Sequence, residues 1–181
     1  MVQLRDKEAD DSALVAAARV FRRVCDEHGG LFWLNDRPDL VEACRADGVH
    51  IGQDDMPAGA ARAAVGQDVL LGLSTHTREQ LDAALAEGVV DQLSVGPVWE
   101  TPTKEGRPAA GLPYVEHAAS VAGDLPWFAI GGIDLDNVRE VIAAGASRVV
   151  VVRAIRDAAD PRAAASALRA ALEEASVGAE S

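Results

Sequence analysis

Along the chain, short and nearly continuous apolar runs alternate with longer alanine-rich runs in which apolar residues recur every three or four positions. The first kind suits a strand covered on both faces and the second a helix with one buried stripe, so the alternation predicts repeated βα units around a parallel sheet. Seven strands are predicted, over 1–5, 31–35, 48–52, 69–74, 91–96, 127–131 and 148–152.

The helices between them carry start and stop signals. Leu14, Ala17, Ala18, Phe21, Val24 and Cys25 share one stripe, and Gly29 follows in a position that tolerates left-handed backbone. Thr77 and Gln80 form a capping box ahead of Leu81, Ala84 and Leu85, with Gly88 as the stop; Asp134 caps a helix carrying Leu135, Val138, Val141 and Ile142, which Gly145 ends. Asp160-Pro161 opens a last helix with Ala164, Ala165, Leu168, Ala171 and Leu172 on one face. Pro38, Pro57 and Pro113 suit first helical positions.

With 181 residues and no linker-like stretch, the chain reads as one domain over 1–175, followed by a fraying tail over 176–181. Seven strands at βα spacing leave two architectures, an open doubly wound sheet and a barrel short of one unit. The lack of G-x-G-x-x-G after the first strand weakens a dinucleotide-binding reading.

A formal net charge of −12, without a Lys/Arg stripe, argues against a nucleic-acid partner. An anionic ligand would have to be held by cations, backbone N–H groups or a metal gathered at one place. Cys25 and Cys44 sit in apolar helical patterns, as reduced core residues do. No run approaches the roughly 20 apolar residues of a membrane span and the N-terminus lacks a signal-peptide layout, so a cytoplasmic protein is expected. A homo-oligomer stays open.

In a parallel α/β fold the rim at the carboxyl ends of the strands carries the chemistry, and polar residues concentrate there. Gln3, Arg5 and Lys7 share a strand face if the first strand extends that far, two cations that a polyanionic ligand would justify. A solvated edge strand, with Arg5 and Lys7 paired to Asp6, Glu8 or Asp10, is the alternative. Asp36 ends the second strand and Asp55 the third. Mg²⁺ takes one or two protein carboxylates and leaves its other positions to water and phosphate oxygens, so this pair suits it. Taken singly, each is more simply read as a helix cap, because Pro38 and Pro57 follow.

Thr101, Thr103 and Lys104 bring two hydroxyls and a point charge to one loop, a combination suited to phosphate. Gly106 and Gly111 bracket a proline-containing stretch after Lys104 that reads either as an ordinary surface loop or, as its length favours, as a lid. Gly131-Gly132 ends the sixth strand and a short segment follows the seventh, the two loops where barrels commonly hold phosphate. His28, His50 and His117 read as structural or solvent-exposed, and His76 is left undecided between rim loop and scaffold.

Together, Gln3-Leu4-Arg5-Asp6-Lys7, Asn35-Asp36-Arg37, His50-Ile51-Gly52-Gln53-Asp54-Asp55, Ser74-Thr75-His76-Thr77, Gly96-Pro97-Val98, Thr101-Pro102-Thr103-Lys104 and Ile130-Gly131-Gly132-Ile133 occur in the order and spacing of thiamine phosphate synthases, which the chain resembles from Val2 to about Ala175. The resemblance implies a (β/α)₈ barrel, here apparently lacking its first βα unit and so exposing strand edges. The implied transferase condenses 4-amino-2-methyl-5-hydroxymethylpyrimidine diphosphate with 4-methyl-5-(2-hydroxyethyl)thiazole phosphate, or its carboxylated form, and releases pyrophosphate. By the resemblance, Gln3, Arg5, Lys7, Asn35, Ser74 and Lys104 contact the pyrimidine diphosphate, with Arg5, Lys7, Ser74 and Lys104 as the catalytic set. Asp36 and Asp55 hold Mg²⁺, while Thr101, Thr103, Gly132 and the backbone around Val152 and Arg153 hold the thiazole phosphate. Many family members have serine where Arg153 stands, so the role of its side chain is open. Two alternatives remain: a tautomerase-like homologue acting on thiazole phosphate alone, against which the diphosphate and metal residues count, and an inactive ligand-binding fragment of the barrel.

Overall fold

The computed structural model describes residues 1–101 and 108–178 of the chain. Seven strands alternate with helices: β1 Val2–Leu4, β2 Phe32–Asn35, β3 Gly48–Ile51, β4 Leu70–Thr75, β5 Gln92–Val95, β6 Trp127–Ile130 and β7 Val149–Val150. Strand order in the sheet is the order of the chain. β1 to β4 pair in parallel, as do β5 to β7. The helices are α1 Asp11–His28, α2 Val41–Cys44, α3 Ala58–Val65, α4 Arg78–Glu87, α5 Leu112–Val121, α6 Val138–Ala143, α7 Arg153–Arg156 and α8 Pro161–Gly178, with a 3₁₀ turn at Pro38–Leu40. This is the parallel α/β architecture that the hydrophobic pattern predicts.

Two compact units make up the chain, Met1–Ser74 with Glu87–Gln92, and Thr75–Ala86 with Leu93–Ser181. In the first, Leu4, Phe32 and Leu34 point to the helix side and pack with Leu14, Ala18, Cys25 and Cys44. Each fully buried side chain of this kind contributes about 1.5–3 kcal/mol. α1 is capped by the Asp10 carboxylate on Ala13 N–H and stops at Gly29, whose φ of 64° a side chain would strain. Its buried stripe runs Leu14, Ala18, Cys25; Val24, expected on it, is 43% exposed, because Phe21 and Cys25 already occupy that face.

Register places Trp33, Asn35, Gly48, His50, Gly72 and Ser74 on the opposite face of these strands. Glycine makes room there for large neighbours. A Cβ at Gly48 would sit 2.9 Å from the Trp33 ring, and one at Gly72 would lie 2.5 Å from His50 Nδ1 and 2.9 Å from Gln92 Nε2.

An aspartate-arginine clip occurs twice at strand starts in this unit. Asp47 donates its N–H to the Phe32 carbonyl, and its carboxylate accepts from Phe32 N–H and from Arg22. Asp91 does the same with Leu71, its carboxylate taking the Leu71 N–H and the Arg62 guanidinium. Arg62 also donates to the carbonyls of Gly66, Val69 and Val89, all within 3.1 Å.

In the second unit, the buried Tyr114 hydroxyl of α5 donates to Thr75 Oγ1 at 2.7 Å, and Thr75 in turn donates to the Ser94 carbonyl. Burial pushes the Tyr114 hydroxyl up to about 12, against a smaller opposing effect of the Thr75 hydrogen bond. α8 opens at Pro161 with Asp160 accepting the Ala163 N–H, and buries Leu168 and Ala171 as expected.

One helix start differs from expectation. α6 begins at Val138, not beside Asp134: the Asp134 carboxylate accepts the N–H groups of Asp136 and Asn137 in a turn that delays the helix and leaves Leu135 47% exposed. α4 starts at Arg78 behind Thr77 as expected, Thr77 Oγ1 accepting from Gln80 N–H, and only the reciprocal half of the capping box is shifted by one residue, Gln80 Oε1 accepting from His76 N–H at 2.8 Å. Among the described residues no helix is long and apolar enough to cross a membrane.

Candidate active site

The first unit gathers polar side chains at the carboxyl ends of β1 to β4. β1 stops at Leu4, so alternation does not carry to Arg5 and Lys7, which lie in the following loop, exposed like Gln3. Lys7 reaches neither Asp6 nor Asp10; its ammonium sits 2.9 Å from Asp36 Oδ2. Asp36 has φ 58°, a left-handed conformation uncommon outside glycine and best tolerated by Asp and Asn. Its N–H donates to the His50 carbonyl at 2.8 Å.

Neither carboxylate of the expected metal pair caps a helix. The 3₁₀ turn at Pro38 and α3 after Pro57 both start without a side-chain cap bond. Asp55 Oδ2 instead accepts the Gly52 N–H at 2.8 Å. Asp36 is therefore tied to β3 at His50, and Asp55 to its end at Gly52. Arg37 is occupied by two carboxylates, bidentate to Asp39 and paired with Asp11, which raises its own proton affinity and holds Asp39 below the usual carboxylate range. Among the described residues no group of three or more His, Cys, Asp or Glu is gathered as a metal cluster.

Ser74, on the same strand face as His50, is buried, its hydroxyl 2.9 Å from His50 Nε2, and its carbonyl accepts from Gln53 Nε2 at 2.7 Å. His50 and Gln53 thus belong with Ser74, although only the motif containing them pointed there. The signal was available in β3, where alternation puts His50 on the face of Gly48, opposite Gly72. Asn35 lies half-buried at the end of β2.

The second unit holds a cavity of about 340 Å³. Its walls come from the ends of β4 to β7: His76; Gly96, Pro97 and Thr101; Ile130 to Asp134; and Val150 to Ala154. Thr101, Gly132, Val152 and Arg153, which sequence places in three separate loops, meet there. Thr103 and Lys104 lie outside the described residues, as does Gly106.

Gly131 and Gly132 have φ 106° and 68°, and a Cβ on Gly131 would lie 2.5 Å from Pro97 Cα. The Gly-Gly turn is thus a steric requirement: backbone lies against backbone, and side chains are excluded. Asn137 fixes the turn by donating its amide to the Gly132 carbonyl at 2.8 Å while accepting the Asp134 N–H. Val152 ends up at the start of α7, exposed, since β7 covers only two residues.

A parallel βα fold with carboxylates and cations at the ends of β1 to β4, and a glycine-walled cavity at the ends of β4 to β7, has the layout of the small-molecule enzymes built on such folds. Comparison narrows this. The model of the family described as thiamine monophosphate synthase matches residues 1–155. Thiamine-phosphate synthase of Acidothermus cellulolyticus is 54% identical over 175 residues, covering 97% of this chain and 82% of that protein. That of Thermus thermophilus is 55% identical over 170 residues, with 93% and 81% covered. The solved thiamine phosphate pyrophosphorylase of Pyrococcus furiosus superposes with a TM-score of 0.87 at 32% identity, over 96% of this chain and 82% of that one. The chain belongs to the thiamine monophosphate synthase family, and its seven strands match a (β/α)₈ barrel less one unit.

Proposed function

We propose that the chain condenses 4-amino-2-methyl-5-hydroxymethylpyrimidine diphosphate with 4-methyl-5-(2-hydroxyethyl)thiazole phosphate, releasing pyrophosphate. One observation carries the reading: Thr101, Gly132, Val152 and Arg153, the residues that family resemblance gives to the thiazole phosphate, share one cavity. Backbone N–H groups around the Gly-Gly turn, the Thr101 hydroxyl and the Arg153 side chain supply donors for a phosphate there. Thr103 adds a second hydroxyl.

Asp36 and Asp55 fit a magnesium ion. Both are hard oxygen donors at the ends of paired strands, and Asp36 already holds a cation, the Lys7 ammonium. When bound, the metal supplies positive charge against the pyrophosphate leaving group. Arg5, Lys7 and Lys104 bind the diphosphate and stabilise the charge that grows on it as the carbon–oxygen bond breaks. Gln3, Asn35 and Ser74 orient the aminopyrimidine, with His50 and Gln53 holding Ser74 in place. The thiazole, anchored by its phosphate, presents its ring nitrogen to the methylene carbon, and the new carbon–nitrogen bond forms without a protein nucleophile.

The test is pyrophosphate release by the purified chain. Release is expected only with both substrates and Mg²⁺ present, and Mg²⁺ with pyrophosphate should raise the melting temperature. Release from the pyrimidine diphosphate alone at the full rate, or with the metal chelated, would overturn the reading.

A further inference from the structure

His76 lines the cavity of the second unit yet takes no part in the steps above. Its surroundings hold it from several sides. The preceding Thr75 is fully buried, bridged through its hydroxyl to Tyr114 and Ser94, and its carbonyl accepts the Gly96 N–H. The His76 N–H is taken by Gln80, the shifted half of the capping box. Its ring Nδ1 lies 2.5 Å from the Gly96 carbonyl. A carbonyl only accepts, so the ring carries its proton on Nδ1 and donates it there.

Gly96 begins a stretch that lies flat along the end of β6. Val98 N–H donates to the Ile130 carbonyl and Trp99 N–H to the Gly131 carbonyl. A Cβ on Gly96 would collide with the Ile130 carbonyl, and one on Gly132 would come 2.8 Å from Trp99 Cβ. A shift of the Gly96 carbonyl is therefore passed directly to the Gly-Gly turn across the cavity wall.

We propose that His76 is a positioning residue for the thiazole-phosphate half of the site: its Nδ1–H pins the Gly96 carbonyl and thereby sets the Gly96-Pro97 wall against Gly131-Gly132. The inference rests on the placing of the thiazole phosphate in this cavity. It commits His76 to acting through the backbone and gives it no proton transfer in the reaction.

Steady-state kinetics on the full chain test it. For His76→Ala, KM for thiazole phosphate should rise about tenfold, the effect of one well-made hydrogen bond, with KM for the pyrimidine diphosphate within about twofold. His76→Asn, whose amide N–H stands close to where Nδ1–H was, should recover most of the loss. His76→Gln, which carries its donor one bond further out, should not; should the alanine variant fail to fold, the Asn and Gln pair decides the matter. Equal rises in both KM values, or Asn as impaired as Gln, would overturn the proposal. So would a fall in kcat with both KM values unchanged, which would make the ring a participant in the chemistry. A wild-type chain that releases no pyrophosphate defeats the underlying reading, and this inference with it. Normal wild-type turnover with unaffected variants defeats the inference alone.

Discussion

Replacing Arg62 with methionine keeps the aliphatic bulk of a side chain only 10% exposed and removes its guanidinium. Three carbonyls, of Gly66, Val69 and Val89, then lose a donor, and the Asp91 carboxylate loses its counter-ion while still accepting the Leu71 N–H. Breaking a buried pair from one side typically costs about 3–5 kcal/mol. Asp91 is 42% exposed, so water replaces part of what it loses, and we expect about 2–4 kcal/mol. Urea denaturation should show this as a lower midpoint with an unchanged slope, and thermal melting as a drop of roughly 4–16 °C. Asp91→Asn keeps an acceptor for Leu71 N–H and should cost less. A methionine variant within about 0.5 kcal/mol of the wild type would refute the reasoning, because it would mean that those carbonyls are satisfied as well by water.

Tyr114 is the single tyrosine, so tyrosinate absorbance reports on it alone; the native midpoint should lie near 12 and the denatured one near 10. Because the folded state holds this proton more tightly, the associated stability is fully present below pH 10 and is lost as pH rises through 12, and Tyr114→Phe should flatten that loss. Gly72→Ala drives a methyl into His50 and Gln92, and should lower both stability, by about 1–3 kcal/mol, and turnover through displacement of Ser74 from His50. Asp36→Asn, chosen because Asn tolerates the left-handed backbone, should reduce pyrophosphate release at least tenfold, while the melting temperature stays within a few degrees, since the lost partner is an exposed lysine.

Strand positions were legible because strands covered on both faces, as β2 and β4 are, write themselves as apolar runs, and all seven described strands appear within two residues of their expected starts. Helix ends were less so. Asp134 reads as a cap in isolation, but its carboxylate is taken by the N–H groups of Asp136 and Asn137 in a turn, so α6 waits until Val138. For Asp36 and Asp55 local sequence pointed the wrong way: a following proline suggests capping, whereas the backbone turns each carboxylate to Lys7 or to Gly52 N–H. The meeting of Thr101, Gly132 and Arg153 needs the pairing of strands distant in sequence, which no local period encodes. His76 was undecided because its role depends on a carbonyl 20 residues away.

The paired clips at Asp47 and Asp91 stand where their strands begin, whereas Asp36, Asp55 and Ser74 stand where strands finish. The bonds that hold the scaffold and the contacts proposed for the substrates thus occupy separate stretches of the chain. On the proposed function, changes in the loops after the strands should therefore leave the arginine anchors, and the stability they contribute, largely intact.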